Sequence, residues 1–124
     1  MGLHEVAEKI GDGAELGMVF QGRIPMGQRY WEMATEENQN NLVTTRILRL
    51  RGLEPGKNAG PGCDSFERFI YLHGTNREEE IGAPFTGGCV VLKNADIIRL
   101  FDAVLPGSHV WIEWMELIQR KPSS

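Results

Sequence analysis

The chain has 124 residues, of which 41% are hydrophobic and 24% charged, as is typical of one small globular domain rather than a disordered segment. Its formal charge of -4 and its 13 scattered basic residues exclude the clustered basic face of a nucleic-acid-binding protein. The sequence has no apolar run of the roughly 18 residues that a membrane helix needs, and its first 13 residues contain no signal-peptide core.

Short apolar or alternating runs between glycine-rich turns predict a mainly β (α+β) domain. In chain order the predicted strands are Leu3 to Ile10, Met18 to Ile24, Val43 to Leu50, Phe66 to Leu72, Cys89 to Leu92 and Val110 to Trp114. In the third run, Arg49 alternates with Leu48 and Leu50, a pattern typical of a strand with one solvated face.

The composition of two segments between these strands predicts loops. Glycine and proline cluster from Gly52 to Gly62, which indicates a long surface loop because strands resume on both sides. The polar stretch Thr35 to Asn41 predicts another loop or a short helical turn. The chain is therefore expected to form one domain over residues 1–118, followed by a frayed tail over residues 119–124.

One helix is predicted from Asn94 to Val104, where apolar residues recur at helical spacing. Asn94 belongs to the residue types that cap helix N-termini, and Asp96 suits the positive end of the helix dipole. The helix is expected to end before Pro106. Its apolar stripe predicts packing against the sheet, because a lone helix must bury one side.

A candidate nucleophile and a candidate base lie in the second half of the chain. Cys89 follows Gly87 and Gly88, and His73 stands 16 positions before it (89 minus 73). A thiol becomes a useful nucleophile beside a base, and glycines leave backbone N–H groups free to hold an oxyanion. The alternatives from the residues alone are a small buried cysteine in a core strand and a histidine that bonds to local backbone groups.

The order of the motifs resembles the L,D-transpeptidase (YkuD) catalytic domain family. His73–Thr75 is followed by Thr86–Cys89 and then by Asn94, as in that family. Upstream, His4–Gly11 and Asn41–Asn58 look like a proteobacterial branch, so the resemblance covers nearly the whole chain.

Two positions depart from the family pattern. Gly87 stands where the family has a second histidine, and Val91 stands where it has an arginine. The first change removes an imidazole from the cleft, and the second removes a guanidinium that could hold a substrate carboxylate. A catalytically impaired, wall-binding relative is therefore one alternative to an active enzyme.

The resemblance implies a YkuD-like β-sandwich with one helix packed on it, whose N-terminal strands are apparently missing here. It implies a peptidoglycan L,D-transpeptidase that forms an acyl-enzyme with a stem tetrapeptide and transfers the acyl group to an amine. An L,D-carboxypeptidase, with water as the acceptor, is an alternative. The family also implies a periplasmic or cell-envelope location, peptidoglycan stem peptides as partners, and acylation by a carbapenem.

The resemblance assigns Cys89 as the nucleophile, His73 as the general base and the Gly74 carbonyl as the acceptor that orients the imidazole. Thr75 is expected to bind substrate or, alternatively, to brace its turn with its hydroxyl. The predicted site residues are catalytic Cys89, His73 and Gly74, an oxyanion hole formed by Gly87, Gly88 and Cys89, and substrate-binding Thr75 and Thr86.

No cofactor is implied, and a metal site would require scattered ligands such as His4 and His109 to converge. Cys63 has no counterpart in the family pattern and is expected to be a solvent-exposed free thiol. The missing opening strands predict an unpaired sheet edge beside Leu3 to Ile10. Such an edge invites an edge-paired dimer.

Overall fold

A computed structural model describes residues 2–33, 42–81 and 90–112 of the protein. Within them, seven strands and one helix confirm the mainly β fold with a single helix. The elements are β1 (Gly2–Ile10), β2 (Met18–Gln21), β3 (Ile24–Arg29), β4 (Val43–Gly52), β5 (Tyr71–Gly74), β6 (Val90–Leu92), α1 (Asn94–Ala103) and β7 (His109–Ile112). Short 3-10 turns occur at Tyr30–Glu32 and Glu78–Glu80.

Strand β4 organises the sheet because it pairs with three other strands. It lies antiparallel to β1, with His4 opposite Gly52 and Ile10 opposite Ile47. Its first residues pair with β2, and β5 also runs antiparallel to it. The sheet is extended by β3 beside β2, by β7 beside β1 and by β6, which is parallel to β5.

Both faces of β4 are buried, and successive side chains enter different hydrophobic clusters. Leu48 and Leu50 belong to the main core, in which β1, β4 and β5 pack against Ile97 and Phe101 of α1. Ile47 instead joins a second cluster with Phe20 and Tyr71. This alternation is the two-residue period of a strand that is covered on both sides.

The predicted solvated face of β4 is largely covered. Arg49 is only 8% exposed, and its guanidinium lies 3.6 Å from the centre of the Phe66 ring. It also donates a hydrogen bond to the Phe66 carbonyl oxygen at 2.8 Å. The long aliphatic stem and planar head of arginine allow such stacking, so a charged residue can occupy a buried position.

Two predicted strands have different bounds in the structure. Met18 to Ile24 is a hairpin in which β2 ends at Gln21 and β3 begins at Ile24. The two turn residues between them, Gly22 and Arg23, both have positive φ, of 58° and 69°. Positive φ at both central residues is the mark of a type I′ hairpin turn. The residue pair Gly-Arg is not one of the pairs that predict such a turn.

The segment from Phe66 to Phe69 forms turns, and strand β5 begins only at Tyr71. Asp64 initiates these turns, since its carboxylate accepts hydrogen bonds from the N–H groups of Gly60 and Glu67. The loop that covers β4 is therefore longer than the glycine-rich stretch predicts.

Helix α1 spans Asn94–Ala103 and ends before Pro106, as predicted. The predicted capping role of Asn94 is wrong, because Lys93 occupies the N-cap position and Asn94 is the first helical residue with its side chain buried. Within residues 2–33, 42–81 and 90–112, no helix has the length and apolar character needed to cross a bilayer.

The first part of strand β1 is not the unpaired edge that the sequence predicts. Opposite its β4 side, Gly2–Glu5 pairs with β7. Val6 continues the contact, since its N–H donates to the Ser108 carbonyl and its carbonyl accepts from the Gly107 N–H, both at 2.8 Å. Over Gly2–Val6 the reason for expecting an edge-paired dimer is therefore removed, and the dimer itself stays untested.

We expect Ile97→Ala to lower the free energy of unfolding by about 2–5 kcal/mol, because it opens a cavity where α1 meets the sheet. Ile97 is 0% exposed. Leu105→Ala is the matched control, since Leu105 is 72% exposed and its truncation should cost less than about 0.5 kcal/mol. Urea titration of both variants measures the difference, and equal midpoints would contradict the assignment of this core.

Candidate active site

His73 lies on β5, a short strand that is buried along its whole length. Its Cα pairs with Ile47 of β4 on one side and with Val91 of β6 on the other. The residue is only 6% exposed. Water reaches a histidine in such a position poorly, so its protonated ring nitrogen needs a hydrogen-bond acceptor within the protein.

The Nδ1 atom of His73 lies 2.5 Å from the Gly74 carbonyl oxygen. A carbonyl oxygen only accepts hydrogen bonds, so Nδ1 carries the proton of the neutral imidazole and Nε2 has a free lone pair. The hydrogen bond expected for an orienting Gly74 carbonyl is therefore present. Its catalytic role stays a prediction.

Burial lowers the pKa of His73, because the charged imidazolium is poorly solvated there, and the hydrogen bond to Gly74 opposes this effect only in part. The imidazole thus remains neutral at pH values where an exposed histidine is already protonated. The neutral form is the one that can accept a proton from a thiol.

Thr75 continues from β5 into the next turn and is 1% exposed. Its hydroxyl accepts a hydrogen bond from the Arg77 N–H at 3.0 Å. This geometry matches the bracing alternative for Thr75. Its assignment to substrate binding stays a prediction.

Strand β6 connects this site to the predicted nucleophile. Val90, the residue after Cys89, pairs with Leu72, the residue before His73. Val91 pairs with His73 itself, so the position where the family has an arginine lies beside the candidate base. The remaining predicted site residues, Thr86, Gly87, Gly88 and Cys89, lie outside the described residues.

A polar cluster around Asn94 adjoins this site, and sequence reasoning missed most of it. Asn94 was expected to cap a helix, yet its side chain bonds to Thr44, Thr45 and Glu78 and to the Thr75 carbonyl. Glu78 belongs to a run of three glutamates that reads as a solvated segment, so nothing in the sequence marks it.

A second buried histidine, His4, lies where β1 meets the glycine-rich loop. Its Nδ1–H donates to the Gly2 carbonyl at 3.0 Å, which leaves Nε2 to accept from the Ser65 hydroxyl at 2.9 Å. Both side chains are buried. The pair therefore fastens the loop to β1.

Cys63 belongs to the same loop and is a free thiol. It is partly buried rather than fully exposed, and its Sγ lies 3.4 Å from the Ala59 carbonyl oxygen. The expectation of a solvent-exposed thiol is thus only partly met.

The model of the YkuD family, described as the L,D-transpeptidase catalytic domain, matches residues 1–112. The chain belongs to this family. It is also 38% identical over 45 residues to YqjB of Bacillus subtilis (strain 168), whose name assigns it provisionally to the L,D-transpeptidases. That match covers 36% of this chain and 26% of the relative, so the chain spans about a quarter of the relative's length. No solved structure gives a significant match.

The two buried imidazoles of this YkuD domain predict a loss of stability in mild acid. Burial lowers the pKa of both His4 and His73 from the ordinary value of 6.5. Below that pH the unfolded chain binds more protons than the folded one. The contribution of the neutral imidazoles to the free energy of unfolding is therefore complete above pH 6.5. It is lost as the pH falls, at up to about 1.4 kcal/mol per pH unit for each imidazole.

Thermal melts between pH 7.5 and 5.5 should show this fall. His73→Gln should flatten part of the slope, and His109→Gln, which changes an exposed histidine, should leave it unchanged. Carboxyl groups with lowered pKa, such as those of Glu32 and Asp64, act only at lower pH. A melting temperature that stays constant over this range would contradict the prediction.

Proposed function

We propose that this domain is a peptidoglycan L,D-transpeptidase with Cys89 as its nucleophile and His73 as its general base. The observation that supports this most directly is the buried, neutral imidazole of His73, whose Nδ1–H is bound to the Gly74 carbonyl. That hydrogen bond leaves Nε2 as the basic atom.

The pairing of β5 with β6 supports this proposal. The Cα atoms of Leu72 and Val90 are partners across β5 and β6, and His73 and Cys89 are each bonded to one member of that pair. Consecutive Cα atoms lie about 3.8 Å apart. Val90, which is one such step from Cys89 in the chain, therefore lies against β5.

In the proposed reaction, Nε2 of His73 accepts the thiol proton, and the thiolate attacks the carbonyl carbon at the L-to-D bond of a stem tetrapeptide. The carbon–nitrogen bond breaks, the imidazolium protonates the leaving D-residue amine, and a thioester remains on Cys89. An acceptor amine then attacks the thioester, His73 removes the amine proton, and that proton returns to the departing thiolate.

We assign the oxyanion hole to the backbone N–H groups of Gly87, Gly88 and Cys89. Backbone donors do not depend on a side chain, so glycine in place of the family's histidine preserves them. Val91 offers no charged group for a substrate carboxylate, and Thr86 and Thr75 remain as polar candidates for substrate contact. We further propose a cell-envelope location, where that substrate lies, and a catalytic domain formed by residues 1–118.

The changes at Gly87 and Val91 favour one rival, a domain that binds the cell wall without turning substrate over. The two functions differ in whether a covalent acyl-enzyme forms. With an active enzyme, release of tripeptide rather than crosslinked product would identify water as the acceptor and an L,D-carboxypeptidase as the activity.

We expect a carbapenem to increase the mass of the protein by that of one carbapenem molecule, because the family nucleophile opens the β-lactam ring and stays bound to it. Cys89→Ala should abolish the adduct, as the thiolate is the attacking species. Cys63→Ala is the matched control and should retain it, since Cys63 is a partly buried thiol in the loop beside β1. Intact-mass spectrometry measures all three proteins.

Labelling of Cys63 in place of Cys89 would show that the nucleophile assignment is wrong. A protein that stays unmodified yet binds purified peptidoglycan would instead support the non-catalytic rival.

We also expect His73→Ala to slow acylation by about two to four orders of magnitude, the range for a positioned general base. His109→Ala, which removes an exposed imidazole, should leave the rate unchanged. Stopped-flow measurements of the rate, with a melt of each variant, separate lost chemistry from lost structure. Equal rates for the wild type and a folded His73→Ala would refute the role of His73.

A further inference from the structure

The side chain of Asn94 is only 1% exposed and uses its full hydrogen-bonding capacity. Its Oδ1 accepts from the hydroxyls of Thr44, at 2.6 Å, and Thr45. Its Nδ2 donates to the Thr75 carbonyl and to Glu78 Oε2, both at 2.8 Å. The carbonyl and the carboxylate only accept, so they fix which end of the amide faces them.

Glu78 completes this cluster by bonding to the start of α1. The same Oε2 atom accepts the Asn94 backbone N–H at 2.7 Å. That N–H belongs to the first turn of the helix, where it has no partner within the helix, and a carboxylate there also faces the positive end of the helix dipole. The cluster thereby joins α1 to the turn that follows β5.

The backbone at Gly74 is held directly against this amide. A Cβ at position 74 would collide with Asn94 Oδ1 and lie 2.8 Å from the Thr44 carbonyl oxygen, so only glycine fits. The Gly74 carbonyl is the acceptor for His73 Nδ1–H. Asn94 thus contacts the peptide segment that orients the imidazole.

Thr45, a member of this cluster, has a strained backbone conformation. It has φ of 76°, in the left-handed region that β-branched residues rarely adopt. The register between β4 and β5 shifts at this point, between Thr44 and Ile47. The Thr45 hydroxyl donates to Asn94 and accepts from the Gly17 N–H at 2.9 Å, and these bonds hold the unusual conformation.

We propose that Asn94 is a positioning residue for His73. Together with Glu78 and Thr44 it fixes the Gly74–Thr75 backbone, so that the Gly74 carbonyl holds the proton of His73 on Nδ1 and keeps Nε2 available as the base. The effect on the tautomer is a property of the folded domain. Its effect on acylation rests on the proposed function of Cys89 and His73.

The first test measures the His73 tautomer by ¹⁵N-resolved imidazole NMR across a pH series. In the wild-type protein we expect a single neutral tautomer with the proton on Nδ1. Asn94→Ala should mix the two tautomers and move the titration midpoint of His73 upward, because a loosened turn admits water to a group whose pKa burial lowers.

Ile97→Val is the matched control, since it weakens the same helix without touching the cluster. It should leave the tautomer and the midpoint unchanged. Thr44→Val removes a single hydroxyl from Asn94 and keeps the side-chain shape, so it serves if Asn94→Ala does not fold. We expect it to produce a smaller change of the same sign.

The second test measures the maximum rate of carbapenem acylation in the same variants. Asn94→Ala should lower this rate by about 10- to 100-fold, the scale of a small misplacement of a catalytic group, with little change in carbapenem affinity. Ile97→Val should react at the wild-type rate.

The two tests fail separately. A tautomer and midpoint that match the wild type in folded Asn94→Ala or Thr44→Val would refute the positioning role, whatever the protein does with a carbapenem. A wild-type protein that shows the expected tautomer but never forms an adduct would refute the proposed function and leave Asn94 as the residue that sets the imidazole.

Discussion

The structure depends on the pairing and burial of strand β4. It pairs with β1, β2 and β5, and its two faces enter different hydrophobic clusters. Any change in the path of β4 therefore shifts three neighbouring strands. The strand departs from regular geometry at Thr45, where its register with β5 changes. A bulge of this kind re-aims the residues that follow it.

The position of the candidate site depends on this pairing of strands. His73 is placed by β5, which lies between β4 and β6, and the turn after it is tied to α1 through Asn94. A strained residue such as Thr45 costs about 1–3 kcal/mol and persists only where its surroundings determine it. The buried hydrogen bonds around Asn94 hold Thr45 in this conformation and offset the cost of the strain.

The sequence predicts the parts of the fold that depend on local pattern. Strand β4 and helix α1 were expected close to their observed bounds because their apolar residues repeat with a clear period. The hairpin at Gly22 and Arg23 was missed, since an arginine with positive φ carries no sequence signal. The burial of Arg49 was missed because it depends on Phe66, 17 positions away, folding back over it.

For the candidate site, the motif His73–Thr75 lies at the end of β5, and the bond between His73 and Gly74 follows from residues that are adjacent in the chain. The roles of Glu78 and Thr44 could not be foreseen, because each is defined by a contact with Asn94 across the fold. Periodicity and spacing describe neighbours along the chain, whereas this cluster is built by neighbours in space.

The pairing of β1 with β7 also bears on how the domain folds. Gly2 lies opposite Ile112, a contact between residues 110 positions apart (112 minus 2). The chain loses the entropy of closing this long segment before the strands gain any hydrogen bonds. Domains dominated by distant contacts fold slowly for that reason. During synthesis β1 emerges before β7, so one of its sides acquires its partner only when the chain has been extended to β7. Until then its backbone groups on that side are unpaired, and unpaired strand edges are the parts of a nascent chain that are most prone to association.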